Sequence, residues 1–191
     1  TMNASTFAAR VCAATLSDIH SAITAGIAAL KGPLHGGANE QVMRMIKEIK
    51  ELGGKEKARD YTIAKLRNKE KVMGFGHRVY KTEDPRATHL RRMAKELAEK
   101  SGDASNYEIS EEIEKAVMDE KGIYPNVDFY AASVYGYLQI PTDLFTPVFA
   151  CSRVAGWTAH VREQYADNRL IRPDHAYVGP ERREWKALSQ R

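Results

Sequence analysis

Apolar positions recur at helical spacing through most of the chain, and polar or glycine-rich breaks separate them. Residues 1–30 are alanine-rich: Ala8, Ala9, Ala13, Ala14, Ala22, Ala25, Ala28 and Ala29 make small faces on which helices can pack closely. The pattern predicts two helices there, broken near Ser17-Asp18, where either residue can cap the second. A glycine-bracketed turn fills 31–37, and Asn39 is then expected to cap a helix carrying Val42, Met45, Ile46, Ile49 and Leu52. Gly53-Gly54 stops it. A charged, mostly solvent-facing helix is expected over 55–71, followed by a turn-rich segment at 72–86. Within that segment Asp84-Pro85-Arg86 reads as a helix start, with Asp84 as N-cap and Pro85 as first helical residue. The next helix runs to about 100 with Leu90, Met93, Ala94 and Leu97 inward, and another spans about 107–121 on Ile109, Ile113, Ala116 and Val117. A loop at 122–128 leads into a helix ending at Leu138. Pro141-Thr142-Asp143 restarts the chain, and a long helix carries Phe145, Val148, Phe149, Val154, Ala155 and Trp157 to about Tyr165. Residues 180–191 read as a charged, extended arm. Sustained period-two alternation and Asn-Gly hairpin signals are missing, so the expected fold class is all-α. Composition shifts near Gly36 and Gln139 mark a charged middle portion between two more apolar helical ends, hence two lobes.

Composition keeps this picture and narrows it. With 43% hydrophobic and 28% charged residues, the 191-residue chain is ordinary globular material, long enough for one good core or two small ones. A net charge of +4 and a pI near 9.0 suit anionic partners. The charges are interspersed rather than blocked, which weakens a nucleic-acid reading. Cys12 and Cys151 sit in apolar, helix-like surroundings and read as buried free thiols in a reducing compartment. No apolar run approaches the roughly 18 residues of a membrane span, and no signal-peptide pattern opens the chain, so a soluble, cytoplasmic protein is expected.

The candidate chemistry lies in loops. His35, His77 and Asp128 each stand at a turn just before a helix; brought together, two imidazoles and a carboxylate form general acid–base equipment. Arg86, Arg153 and Arg172 add guanidinium forks, the natural receptors for carboxylates. A small polycarboxylate substrate fits this mixture. Gly74 and Gly76 flank Phe75 and can bring backbone close to a ligand, with amides able to face an anion. Blander readings compete with each assignment. A histidine beside a glycine is often a capping residue, Asp128 can be a simple N-cap, and single arginines are commonly surface ion pairs. A dinucleotide fingerprint fails because Val79 stands where the third glycine belongs and no strand precedes the loop. Zinc is not expected, since the cysteines stand alone and H-E-x-x-H does not occur.

Several stretches together resemble one family. GPLHGGANE at 32–40, GFGHRVYKTEDPRA at 74–87, YPNVDFY at 124–130, FACSRVAGWTAH at 149–160, IRP at 171–173 and NASTFAARV at 3–11 resemble citrate synthase, in family order and over nearly the whole chain. The resemblance implies an all-α dimer in which a large helical domain (1–35 and 140–191 here) and a smaller mobile one (36–139) close over oxaloacetate and acetyl-CoA. Asp128 would remove a proton from the acetyl methyl, His35 would stabilise the enol at the thioester oxygen, and His77 would polarise and protonate the oxaloacetate carbonyl. Arg86 and Arg153 would bind its carboxylates, while Arg172 would reach the neighbouring subunit's site. Gly74, Phe75 and Gly76 would approach the adenine side of CoA, with Lys81 and Lys121 near its phosphates and no metal required.

The same resemblance implies an acyltransferase of the tricarboxylic acid cycle. Its alternatives are a 2-methylcitrate synthase using propionyl-CoA and, in a different class, a non-catalytic helical interaction module. Family members carry a further N-terminal half and another oxaloacetate-binding histidine ahead of the N-A-S-T segment. The chain therefore reads as a C-terminal portion, expected to be inactive unless the rest is supplied as a second segment or chain.

Overall fold

Each helix begins where a side chain or a constrained turn can satisfy its first amides. The computed structural model describes residues 2–77, 82–180 and 183–190. Among them are eight α-helices: α1 (Ala4–Ala14), α2 (Ile19–Leu30), α3 (Ala38–Leu52), α4 (Lys55–Arg67), α5 (Pro85–Ser101), α6 (Ser105–Lys121), α7 (Val127–Tyr137) and α8 (Phe145–Ala166). The fold is all-α, as the periodicity predicts. The one β-bridge among these residues, Phe75 against Pro125, is isolated. Asn3 and Asp18 cap α1 and α2 through bonds accepted from Thr6 N (3.1 Å) and Ser21 N (3.0 Å), and Asp84 caps α5 with Pro85 behind it.

Four expectations are corrected. Helix α3 is capped at Gly37, not Asn39. A Cβ on Gly37 would lie 2.6 Å from the Lys31 carbonyl oxygen, so the chain turns too tightly there for any other residue, and Asn39 is buried one residue inside the helix. Helix α4 stops at Arg67 rather than Lys71, because Lys69 adopts a left-handed φ of 59° and Glu70 N turns back to the Lys65 carbonyl. Met93 faces solvent instead of the core. Both cysteines are free, but Cys12 is only partly buried and Cys151 is exposed on α8, whose inward side is held by Trp157 and Val161.

Two apolar clusters organise the packing. Ala9, Ala13, Ala22 and Val161 join α1, α2 and α8, where small side chains permit close approach. Trp157 seals this bundle, its ring against Gly26, where a Cβ would come within 3.3 Å of the indole. The larger cluster takes Val42, Ile46 and Ile49 from α3, Ile109, Ile113 and Val117 from α6, and Phe129 and Tyr130 from α7. Phe145, at the start of α8, belongs to this second cluster, so one helix is anchored in both cores.

Candidate functional site

The tightest part of the site is the crossing between the 74–77 loop and the 124–128 turn. Gly74 has φ of 85°, and a Cβ there would sit 2.8 Å from Val42 Cγ2 and 2.9 Å from Phe129 Cβ, so only glycine fits. Its carbonyl accepts from Asn126 N (2.8 Å), while Gly76 N donates to the Tyr124 carbonyl (2.9 Å). Phe75 then packs on Phe129 at 4.5 Å between ring centroids. The Gly76 amide is thus committed to protein and cannot face an anion, contrary to the sequence-based expectation for that group.

Beside this crossing opens a cleft of about 680 Å³. His35, His77 and Asp128 line it together, although they lie far apart in sequence. Gly74, Phe75, Gly76 and Lys121 line it too, as do Lys69 and Lys71, which sequence reasoning did not single out. Lys81 lies outside the described residues. Arg86 and Arg153 stand near Asp128 but do not line the cleft, and Arg172, on the exposed stretch after α8, is not brought to it either. Among the described residues no group of histidine, cysteine and acidic side chains could hold a metal ion, and no helix is long and apolar enough to cross a membrane.

Asp128 is the second residue of α7, not its cap; Asn126 caps the helix, accepting from Asp128 N at 3.0 Å. Its carboxyl is therefore not used to cap α7. The residue keeps some exposed area along the cleft, yet enough protein surrounds the carboxyl for burial to push it up to about 7. Arg86 and Arg153 pull the other way, and the nearby Asp84 adds to the rise. Asp84, itself buried, behaves oppositely: burial would raise it, but hydrogen bonds from the Arg86 side chain and backbone, with the charges of Arg86 and His77, hold it below the usual carboxylate range. Its two oxygens take Arg86 Nε at 3.0 Å and an Arg86 terminal nitrogen at 2.8 Å.

Arg153 projects from α8 with its guanidinium 4.5 Å from the Phe149 ring centroid. Burial and repulsion from Arg86 hold it below its ordinary value, with Asp128 opposing. No salt bridge engages Arg153 among the described residues, so two guanidiniums crowd together beside a carboxyl that is only partly ionised near neutrality. Arg86 is balanced by Asp84, so Arg153 is the guanidinium here with no salt bridge among the described residues, a receptor suited to a carboxylate.

His35 is held by a residue that sequence reasoning missed. Its Nε2 lies 2.9 Å from Ser5 Oγ and 3.3 Å from Ser5 N, which leaves Nδ1 as the nitrogen for a ligand. The same hydroxyl oxygen receives Trp157 Nε1 at 3.3 Å and Arg153 Nη1 at 3.4 Å. Burial and the neighbouring Arg153 depress the His35 pKa, favouring a neutral ring. Ser5 carries no local signal of this duty: it is one more small residue in the first turn of a helix. Asn126 and Asp84 were visible as residues of capping type, but not as partners of the cleft.

Comparisons with known proteins converge. The family described as citrate synthase, C-terminal domain, matches residues 1–174. Citrate synthase 2 of Bacillus subtilis is 59% identical over 190 residues, covering 100% of this chain and 50% of that protein. A 2-methylcitrate synthase of Shewanella oneidensis is 51% identical over 177 residues, covering 93% of this chain and 46% of its own length. A citrate synthase from Thermoplasma acidophilum, solved as a ternary complex with carboxymethyl coenzyme A and oxaloacetate, superposes with a TM-score of 0.91 at 41% identity, covering 100% of this chain and 51% of that one. The chain spans about half the length of the curated relatives it matches.

Proposed function

Because the chain belongs to the citrate synthase family, we propose that it carries the acid and base groups that condense acetyl-CoA with oxaloacetate to citrate and CoA. A thioester methyl is a very weak carbon acid, so a carboxylate can deprotonate it only if the developing enolate oxygen meets a preorganised donor. In this reading Asp128 takes the methyl proton and a neutral His35, steadied by Ser5, donates through its remaining nitrogen to the thioester oxygen. The enol carbon then attacks the ketone carbon of oxaloacetate, and His77 supplies a proton to the new alkoxide. Water finally cleaves the citryl thioester, releasing CoA. Arg86 and Arg153 hold the carboxylates of oxaloacetate. Phe75, Gly74 and Gly76 lie along the adenine side of CoA, and Lys81 and Lys121 serve its phosphates, joined by Lys69 and Lys71 from the cleft wall.

The observation that carries this reading is a carboxyl held near neutrality in the same cleft as two histidines. Residues 36–139 are proposed to move as a small lobe against 1–35 and 140–191, excluding water as the substrates are enclosed. Arg172 is proposed to serve the neighbouring subunit of a dimer. Since the chain spans about half its relatives' length, turnover is expected only when the remaining portion is supplied. The test joins the chain to the preceding portion of the Bacillus subtilis relative and compares it with its Asp128→Asn variant. Loss of turnover by roughly 10²- to 10⁴-fold, with oxaloacetate affinity within a few-fold, is the expected result. Undiminished turnover in the variant would overturn the proposal. Likeness to a 2-methylcitrate synthase supports a second reading, and running the same assay with propionyl-CoA separates the two.

A further inference from the structure

One side-chain amide bridges the two reactive loops. Asn126 Oδ1 accepts from Asp128 N at 3.0 Å, and Asn126 Nδ2 donates to the Gly76 carbonyl at 2.9 Å. The Gly76 carbonyl belongs to the same planar peptide unit as His77 N, so the amide grips the backbone immediately before the histidine. On its other side it grips the backbone nitrogen of Asp128 itself. We propose that Asn126 is a positioning residue that fixes the separation and aim of His77 and Asp128. This rests on the reading of those two side chains as acid and base.

The chemistry of asparagine accounts for its place. The clamp needs one acceptor and one donor on a short, planar group, and each is engaged in a separate chain segment. Aspartate could cap α7 but would present only acceptors, leaving the Gly76 carbonyl facing a negative charge. Serine could cap with its one hydroxyl but could not span both partners. The backbone contacts around it, Asn126 N to the Gly74 carbonyl at 2.8 Å and Gly76 N to the Tyr124 carbonyl at 2.9 Å, hold the two strands of the crossing together. Those backbone contacts do not reach the peptide unit ahead of His77; the Asn126 side chain does. Asn126 also lines the cleft.

The test uses Asn126→Ser and Asn126→Asp in the chain joined to its relative's preceding portion. Both residues are good N-caps, so α7 keeps its start and the enzyme keeps its fold. For Asn126→Ser, kcat is expected to fall ~10-fold or more, while KM for oxaloacetate stays within about threefold because Arg86 and Arg153 are untouched. For Asn126→Asp, the acid limb of kcat/KM is expected to move to higher pH as a second carboxylate disfavours ionisation of Asp128. A merely structural role would lower the folded fraction without splitting kcat from KM. Wild-type kcat in Asn126→Ser would overturn the proposal. Asp128→Asn run alongside distinguishes the levels. If it keeps turnover, the functional reading fails. If it loses turnover while the Asn126 variants behave as wild type, only the positioning role fails.

Discussion

The α1–α2–α8 bundle closes on alanines and one tryptophan, whereas the body formed by α3 to α7 closes on branched aliphatics, phenylalanine and tyrosine. The two supply the groups around Asp128 and the cleft differently. From the bundle side, Arg153 and the Ser5 that steadies His35 sit on helices, and His35, Trp157 and Arg153 converge on the Ser5 hydroxyl. From the body, His77, Arg86 and Asp128 stand on or beside loops at helix starts, steadied by Asp84, Asn126 and the glycine crossing. A thin core thus holds a polar group interlocked through one hydroxyl, and a thick core carries one fixed by bonds between loops and helix starts.

The largest expected effect comes from breaking the bundle. Trp157→Ala removes its one large buried ring and the donor to Ser5, and is expected to destabilise by about 3–5 kcal/mol in chemical unfolding. Hydrogen exchange sharpens the comparison: protection should fall over 4–30 and 153–166 while 38–52 and 109–117 keep theirs. Equal loss in both regions would show that the cores do not behave separately. Gly74→Ala attacks the body instead. With a positive φ and contacts of 2.8 and 2.9 Å awaiting the new methyl, it is expected to cost about 2–3 kcal/mol, read from the denaturant midpoint, and an unchanged midpoint would refute the tight crossing.

A further effect depends on pH and has the opposite sign. In the folded chain Asp128 holds its proton up to about 7, whereas its ordinary value is 3.8. The folded state therefore binds more protons across that window, and wild-type stability attributable to Asp128 is present below 3.8 and lost as pH rises through about 7. Asp128→Asn cannot ionise, so it should be more stable than wild type at pH 8 and close to it at pH 3.5. Thermal melts at the two pH values check this, and an advantage independent of pH would remove the buried-carboxyl account.

Much of the fold was legible because its signals are local. Asp18, Asp84-Pro85, Gly102 and Gly122 mark helix ends that the structure keeps, since a cap or a left-handed turn involves only neighbouring residues. Asn39 misled because its helix start is dictated by Gly36 and Gly37 crowding against Leu30 and Lys31, a contact with the preceding helix end. Lys69 misled because a lysine rarely adopts the left-handed backbone that ends α4. In the site, the histidines and arginines were visible as residue types, but Ser5 was not, since its link to His35 spans 30 residues.

By itself the sequence determined an all-helical chain, most of its helix boundaries and, through several motifs in order, membership of the citrate synthase family. Periodicity and capping act within a few residues, so they survive without knowledge of the rest. Tertiary structure alone decided which of the candidate side chains share one cleft, that Arg86, Arg153 and Arg172 are not on its wall, and that Asp128 and Asp84 titrate in opposite directions. Burial and electrostatic fields sum over groups distant in sequence. Two aspartates near the same arginine therefore differ only through what the fold places around each.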